Sequence, residues 1–412
     1  MQKKHHYIPL IGSLYVNYLF QGIATIAIAH NQDFFQAQWS ASLSQVTLVI
    51  SALGLGRIIS LNLSGWFSDR FGRKKTVLLG VLSYILFFIG ILFTRDFRWA
   101  FVATIFGGIG NAFLDTSTYP IVVEAYPSES DNSSLSVLNK SFISIGQFIL
   151  PFVTRWVIQS DFYFGWPFVV CALCLGMNFF FLSKFRYPSV QAKAIIEEED
   201  STNRKAWSAE GVALMIFSFV SVSLFNIFIL WIPTYSETIL KISKENSPLF
   251  VSVYSIGSFI SVFLTSYLVR KKWDIPNLML VCLLLTAASM LYMIVSPSML
   301  SVIIASIGVG CFSAGGIWQL GLALLLEFYP HHKGIVTSFY SLTTSISVMV
   351  TPYLTGLMVE KSVVYVFIYN ILLALLGFLA IAVVQRRYRV LKLEKKKGLC
   401  QNVLLVILYS LA

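Results

Sequence analysis

Gly65-Trp-Phe-Ser-Asp-Arg-Phe-Gly-Arg-Lys-Lys75 is the stretch on which the reading of this chain turns. It is charged, punctuated by glycine, and flanked by the long apolar runs 42–64 and 75–94. Each run is long enough to cross about 30 Å of hydrocarbon as a helix. The segment therefore reads as a tight polar turn joining two membrane-spanning helices.

Outward from this turn the same pattern recurs over the whole length. The 412 residues are 57% hydrophobic and only 12% charged, with a mean hydropathy of +0.75. A soluble chain carries roughly 25% charged residues, so the deficit points to lipid as the solvent. Helices satisfy every backbone polar group internally, which is what hydrocarbon demands. Twelve spans are predicted: 8–29, 42–64, 75–94, 99–124, 135–158, 164–184, 209–234, 247–269, 277–297, 299–326, 335–358 and 364–385. The expected fold class is an all-α membrane protein.

Lys and Arg give the orientation. Of 30, 22 fall in the N-terminus, loop 2–3, the central loop, loops 8–9 and 10–11 and the C-terminus. Six lie on the other side (Arg95, Arg98, Arg155, Lys241, Lys244, Lys361), and Arg57 and Lys140 lie within spans. The excess predicts both termini in the cytoplasm of a cell or inner membrane. The net charge of +11 is then a topology effect and calls for no nucleic-acid partner. Lys3, Lys4 and Ala27-Ile28-Ala29 imitate a secretory signal, but eleven further spans and the polar Asn17, Tyr18 and Gln21 favour an uncleaved first helix. Five Cys show no oxidised framework, and the C-x-x-C of Cys171 and Cys174 lies on an apolar span without a second ligand pair. No metal or cofactor is expected. Without a Walker-type loop, ATP drive is not expected either.

The polar segment 185–207, with Glu197-Glu198-Glu199-Asp200 and Arg204-Lys205, divides the chain into 1–184 and 208–390, followed by a basic then apolar tail, 391–412. The halves resemble each other at a shift of about 200 residues, as transporter repeats do. Glu124-Ala-Tyr-Pro127 matches Glu327-Phe-Tyr-Pro330, Pro151-Phe-Val-Thr154 matches Pro352-Tyr-Leu-Thr355, and Gly56-Arg-Ile-Ile-Ser60 matches Gly257-Ser-Phe-Ile-Ser261. The expectation is two pseudo-symmetric bundles of six helices. The repeat breaks where charge is concerned: Asp69 meets Arg270, Arg57 meets Ser258, Lys140 meets Ser341 and Asp115 meets Trp318.

Charge within hydrocarbon is expensive and usually faces a polar cavity with a partner. At about 1.5 Å per residue, Arg57 lies about 12 Å above Gly65 and Asp115 about 13 Å above Glu124. Lys140 lies nearer the cytoplasmic end of its span, so the three groups share one depth zone. Two cations and one carboxylate suit an anionic substrate, with Arg57 able to fork onto a carboxylate and Asp115 able to take up a proton. The plain structural alternative is that Asp115 neutralises one of the cations and Lys140 snorkels to the interface. Neutral polar and aromatic residues are expected to complete the cavity. In the first half these are Asn17, Tyr18, Gln21, Asn111 and Gln147; in the second, Asn226, Trp231, Trp318 and Gln319. The glycines of Gly107-Gly108-Ile-Gly110 and Gly308-Val-Gly310 are expected to permit close helix packing.

The spacing of Gly65, Asp69, Arg70, Gly72, Arg73 and Lys74 resembles the loop 2–3 signature of the major facilitator superfamily (MFS) of secondary transporters. Within it, Gly54-Leu-Gly-Arg57-Ile-Ile-Ser, Leu114-Asp-Thr-Ser-Thr-Tyr-Pro120, Lys140 with Ser144-Ile-Gly-Gln147, and Ala314-Gly-Gly-Ile-Trp-Gln-Leu-Gly321 resemble a bacterial inner-membrane branch of the YdiM/YdiN type. The resemblance implies two bundles rocking about a cavity lined by spans 1, 4, 7 and 10. It also implies a cytoplasmic charge relay in which the loop's acidic residue and distal Arg hold one conformation. Glu124 and Glu327, ending their spans at water, read as gate residues. The function expected is a monomeric secondary transporter, not an enzyme, moving a small organic anion (shikimate- or quinate-like) with protons. A neutral sugar or polyol carrier is the alternative. Drug efflux ranks lower, because span 4 has no Arg and Leu150, not Gly, precedes Pro151.

Overall fold

The computed structural model describes residues 7–126, 129–188, 208–271, 273–330 and 333–411, the side chains of 129–138, 333 and 391–411 excepted. The central acidic run 197–200 and Arg204-Lys205 thus lie outside the described residues, as does Pro127. Among the described residues there is no strand, and twelve helical spans are long and apolar enough to cross a membrane.

The first half holds α1 (Ile8–Ala27), a single 3₁₀ turn (Ala29–Asn31), a short α2 (Gln32–Trp39), α3 (Leu43–Phe71), α4 (Arg73–Phe93), α5 (Phe97–Ala125), α6 (Glu129–Gln159) and α7 (Trp166–Lys184). The second holds α8 (Ala209–Thr238), α9 (Leu249–Arg270), α10 (Ile275–Val295), α11 (Met299–Val309), α12 (Ile317–Phe328), α13 (Lys333–Val359) and α14 (Val363–Leu411). Within the first half α3 packs on α5, α4 on α5 and α7, and α1 on α6; within the second α14 packs on α8 and α10, and α9 on α11. The halves meet where α3 lies against α13 and α6 against α9.

Two expectations are corrected. Residues 65–71 are not a turn: α3 continues through them, and the reversal is the single residue Gly72 at φ +88°, a conformation that favours glycine. The helix persists because its ring side chains find neighbours. Phe67 packs on Phe71 at 4.6 Å and on Phe113 of α5 at 5.8 Å, and the Arg70 guanidinium lies 5.2 Å from the Trp66 ring centroid. The tenth span is not one helix either. Between α11 and α12 a turn of π-helix (Gly310–Ala314) runs into Gly315 and Gly316, the latter at φ +109°. Irregular backbone at membrane depth needs protein partners, and α9 supplies them. Thr265 donates to the Gly315 carbonyl at 2.6 Å and Ser261 donates to the Cys311 carbonyl.

Glycine decides how closely α3 and α5 cross. A Cβ at Gly108 would stand 2.1 Å from the Leu53 carbonyl oxygen, and one at Gly56 2.1 Å from that of Ile105. Backbones therefore touch directly at this crossing, which sets Arg57 beside α5.

Candidate substrate cavity

A cavity of about 860 Å³ lies between the halves. Its walls reach Trp66 and Asp69 in the last turns of α3 and Thr337 and Ser338 near the start of α13, so it opens on the face that carries the Asp69–Arg73 turn. The opposite face is closed by bonds from one half to the other. Gln32 Nε2 donates to Thr234 Oγ1 at 3.2 Å, Gln159 Nε2 to Glu245 Oε2 at 3.3 Å, and Lys244 pairs with Asp33.

The first half supplies the charge. Arg57 Nη2 lies 3.3 Å from Asp115 Oδ2, with the two side chains 18% and 24% exposed. Asp115 faces the cavity one turn from Tyr119, whose hydroxyl accepts from Asn139 Nδ2 at 3.0 Å. Lys140 also lines the cavity instead of snorkelling away, and among the described residues it makes no ion pair. Its Nζ sits 6.0 Å from the Phe225 ring centroid and 5.9 Å from that of Trp318, both across the boundary in the second half. Trp318 is held for this contact: its Nε1 donates to Thr344 Oγ1 at 2.8 Å, and Tyr340 Oη donates to its carbonyl at 2.9 Å. The break before α12 starts that helix at Ile317, so Trp318 and Gln319 project from a first turn.

Several polar atoms of the cavity-lining residues have no hydrogen-bond partner among the described residues: Gln21 Oε1, Asn111 Oδ1, Asn139 Oδ1, Gln319 Oε1 and Arg57 Nε. Buried polar groups are ordinarily satisfied; these atoms have almost no accessible surface of their own, so a ligand engages them once the side chains turn toward the cavity. Four are acceptors, which suits a ligand rich in O–H or N–H donors. The cavity thus joins a cationic wall to a neutral wall of rings and amides.

Of the expected substrate contacts, Gln21, Arg57, Asn111, Lys140, Gln147, Asn226, Trp318 and Gln319 all line this cavity. Asn17 does not. It is fully buried and turned toward α7, where Asn178 Nδ2 donates to its Oδ1 at 2.8 Å. Trp231 is likewise packed away, its Nε1 donating to Thr355 Oγ1 at 2.8 Å. Tyr84, Tyr119, Asn139 and Phe225 line the cavity but were not expected there. For three of them a signal existed: Tyr119 is four residues after Asp115, and Asn139 and Phe225 adjoin Lys140 and Asn226. Tyr84 stands in the middle of α4, where no charged residue follows Lys75 to mark it.

At the open face, Arg73 ties three helices. It reaches Asp69 of α3 at 3.0 Å, Glu124 of α5 at 3.3 Å and Ser68 Oγ at 2.6 Å. Lys74 lies 6.0 Å from the Tyr187 ring, and Gly65 lines the cavity mouth with space around it. Glu327, the counterpart of Glu124 at the end of α12, makes no ion pair among the described residues. Among the described residues no cluster of three His, Cys, Asp or Glu forms, and Cys171 and Cys174 are free thiols.

Twelve spans in two related halves around a polar cavity define a multi-pass membrane transporter. The chain belongs to the Major Facilitator Superfamily, whose family model matches residues 10–313 and 273–409. It is 30% identical to the inner membrane transport protein YdiM of Escherichia coli K12 over 97% of this chain and 99% of that protein. It is 30% identical to YdiN of the same strain, over 93% of this chain and 91% of that one. An uncharacterised MFS-type transporter of Bacillus subtilis 168, YfkL, is 28% identical over 93% and 97%. Among solved structures, a D-xylose–proton symporter superposes with a TM-score of 0.75 at 17% identity, covering 92% of this chain and 97% of the other. The inward-open xylose transporter XylE of E. coli gives 0.74 at 14% identity, covering 92% and 95%. These neighbours share the fold. As a member of this family the chain is a transporter and not an enzyme.

Proposed function

We propose that the protein carries a small organic anion across the inner membrane together with protons, by alternating access. The observation that carries this reading is Lys140. It is a cation in the cavity without a carboxylate of its own, beside an Arg57–Asp115 pair that is already neutral. The empty site therefore holds one net positive charge, which a monocarboxylate balances. When Asp115 takes up a proton, Arg57 is released and two cations face the ligand. When the proton leaves, Asp115 reclaims Arg57 and the anion is expelled. Proton and anion thus move together. The ring face of the ligand would lie against Phe225 and Trp318, and its hydroxyls would meet the unpartnered amide oxygens of Gln21, Asn111, Asn139 and Gln319. A cyclic hydroxy acid of the shikimate or quinate kind has all three features.

In this reading the chain acts as a monomer with both termini in the cytoplasm, following the Lys and Arg excess on the face of the Asp69–Arg73 turn. The cavity then opens inward. Asp69, Arg73 and Glu124 form the inner gate, with Gly65, Arg70, Gly72 and Lys74 shaping its turn and Glu327 its weaker counterpart. A neutral sugar or polyol is the second reading; the four amide acceptors favour it as well, and solved relatives of this fold include a xylose symporter.

Uptake into proteoliposomes of shikimate and of a neutral cyclitol, with and without an inward proton gradient, separates the two. Gradient-driven accumulation of shikimate alone is the expected result. Uptake of the cyclitol alone would overturn the anion reading and leave Lys140 a structural cation.

A further inference from the structure

Two hydrogen bonds between the halves are made by serines at corresponding positions of the internal repeat. Ser51 Oγ on α3 accepts from the backbone N–H of Tyr353 on α13 at 3.2 Å. Ser252 Oγ on α9 donates to the backbone carbonyl of Phe148 on α6 at 2.9 Å. The register that aligns Gly56 with Gly257 also aligns Ser51 with Ser252, and both bonds reach the helix of the other half that carries the aligned Pro151 or Pro352, at positions that differ: Phe148 precedes its proline by three residues and Tyr353 follows its own by one. Tyr353 directly follows Pro352, and Phe148 lies in the turn that leads to Pro151. Each serine of one half thus grips the proline turn of the other.

Those turns are the compliant points of α6 and α13. Proline has no N–H, so Gln147 and Val348 lose the donor four residues on, and the ring crowds the preceding turn. The two serines bond beside these freed carbonyls, at Phe148 O and Tyr353 N–H, and so tie each turn to the facing helix without replacing the lost bond. The contact is close on the α3 side, where a Cβ at Gly54 would stand 2.2 Å from Met349 N and one at Gly356 2.0 Å from Thr47 Oγ1.

Both bonds lie toward the closed face: Ser51 is in the third turn of α3 and Ser252 in the first turn of α9, and both helices start at that face. Opening that face separates the helix pairs there and breaks both bonds together. We infer that Ser51 and Ser252 are positioning residues of the transport cycle, two clasps at repeat-related positions that hold the closed face shut through the proline-bearing turns of the opposite half. Their loss shifts the resting population toward the state open on that face. The inference is independent of what the cavity carries.

The test is a distance between the halves at the closed face, read by spin labels at Ala37→Cys and Lys361→Cys in a background with the five native cysteines replaced. Both positions are exposed, the first on α2 and the second between α13 and α14. Ser51→Ala and Ser252→Ala should each raise the long-distance population about fivefold, the effect of one net hydrogen bond, and the double variant should raise it further. Ser60→Ala and Ser255→Ala are the controls, since these buried serines bond only to their own helices, at Gly56 and Val251. A distribution in the clasp variants that matches the controls, or moves toward the short distance, would overturn the proposal. The single variants keep the test decisive if the double does not fold.

Discussion

Arg57 and Asp115 meet at 3.3 Å because a glycine crossing, at Gly56 beside Arg57 and at Gly108 two turns from Asp115, brings their helices into backbone contact. The pair is neutral, and Lys140 beside it is not; on the proposed reading the coupling step then falls to one carboxyl group, that of Asp115. Replacing Asp115 by Asn keeps the shape and removes the exchangeable proton. The expected outcome is loss of pH-driven accumulation with exchange of substrate across the membrane partly retained, as measured by counterflow in proteoliposomes. Accumulation that persists unchanged would remove Asp115 from the coupling step. These three residues were legible in the sequence because ionisable groups are rare within apolar runs and must find a polar setting. Asn17 was misread for the opposite reason. A neutral amide on a helix is compatible with any polar neighbour, and the one that claims it, Asn178, lies 161 residues away. Trp231 went the same way, its partner Thr355 being 124 residues distant.

At the level of elements, lipid thickness made the twelve spans readable, since each must present about 20 apolar residues in a row. It says nothing about where a helix may continue past the membrane or break inside it. The extension of α3 to Phe71 rests on ring packing with α5, and the interruption before α12 rests on hydroxyls from α9. Both are long-range facts invisible to hydropathy. The glycine-rich stretch of α5 was legible as a close contact but not as the device that aligns the charged pair. Gly108→Ala should drive a Cβ into the Leu53 carbonyl and force α3 and α5 apart, lowering stability by about 1–3 kcal/mol. Gly176→Ala on α7, with nothing within 4 Å, should leave stability unchanged or slightly raised. Thermal unfolding of the two variants in detergent checks the pair, and equal melting temperatures would contradict the crossing argument.

Across the whole molecule, the closed face contains a group that resists acid. His30, in the 3₁₀ turn outside the twelve spans, is buried with neither ring nitrogen partnered among the described residues, and its turn packs against α8 of the other half. Burial pushes its pKa down to about 3 from the ordinary 6.5. The shift is a depression of a base, so closure is fully supported above pH 6.5 and weakens as pH falls from there toward 3. The closed-to-open ratio should drop by about tenfold per pH unit in that window. Spin-label distances at the closed face between pH 7 and 5 measure it, and His30→Gln should flatten the response; an unaltered slope in that variant would assign the effect to another group.

The cavity has a last consequence in terms of voltage. Among the described residues lining it, Asp115 is the single carboxyl at the depth of Arg57 and Lys140. On the proposed reading one proton accompanies one monovalent anion, and the loaded site crosses with no net change in charge. A membrane potential is worth about 2.3 kcal/mol per charge per 100 mV, yet it does no work on such a cycle. The carrier would then draw on the acidity difference alone, and a cell with a collapsed potential but an intact pH gradient would still fill through it.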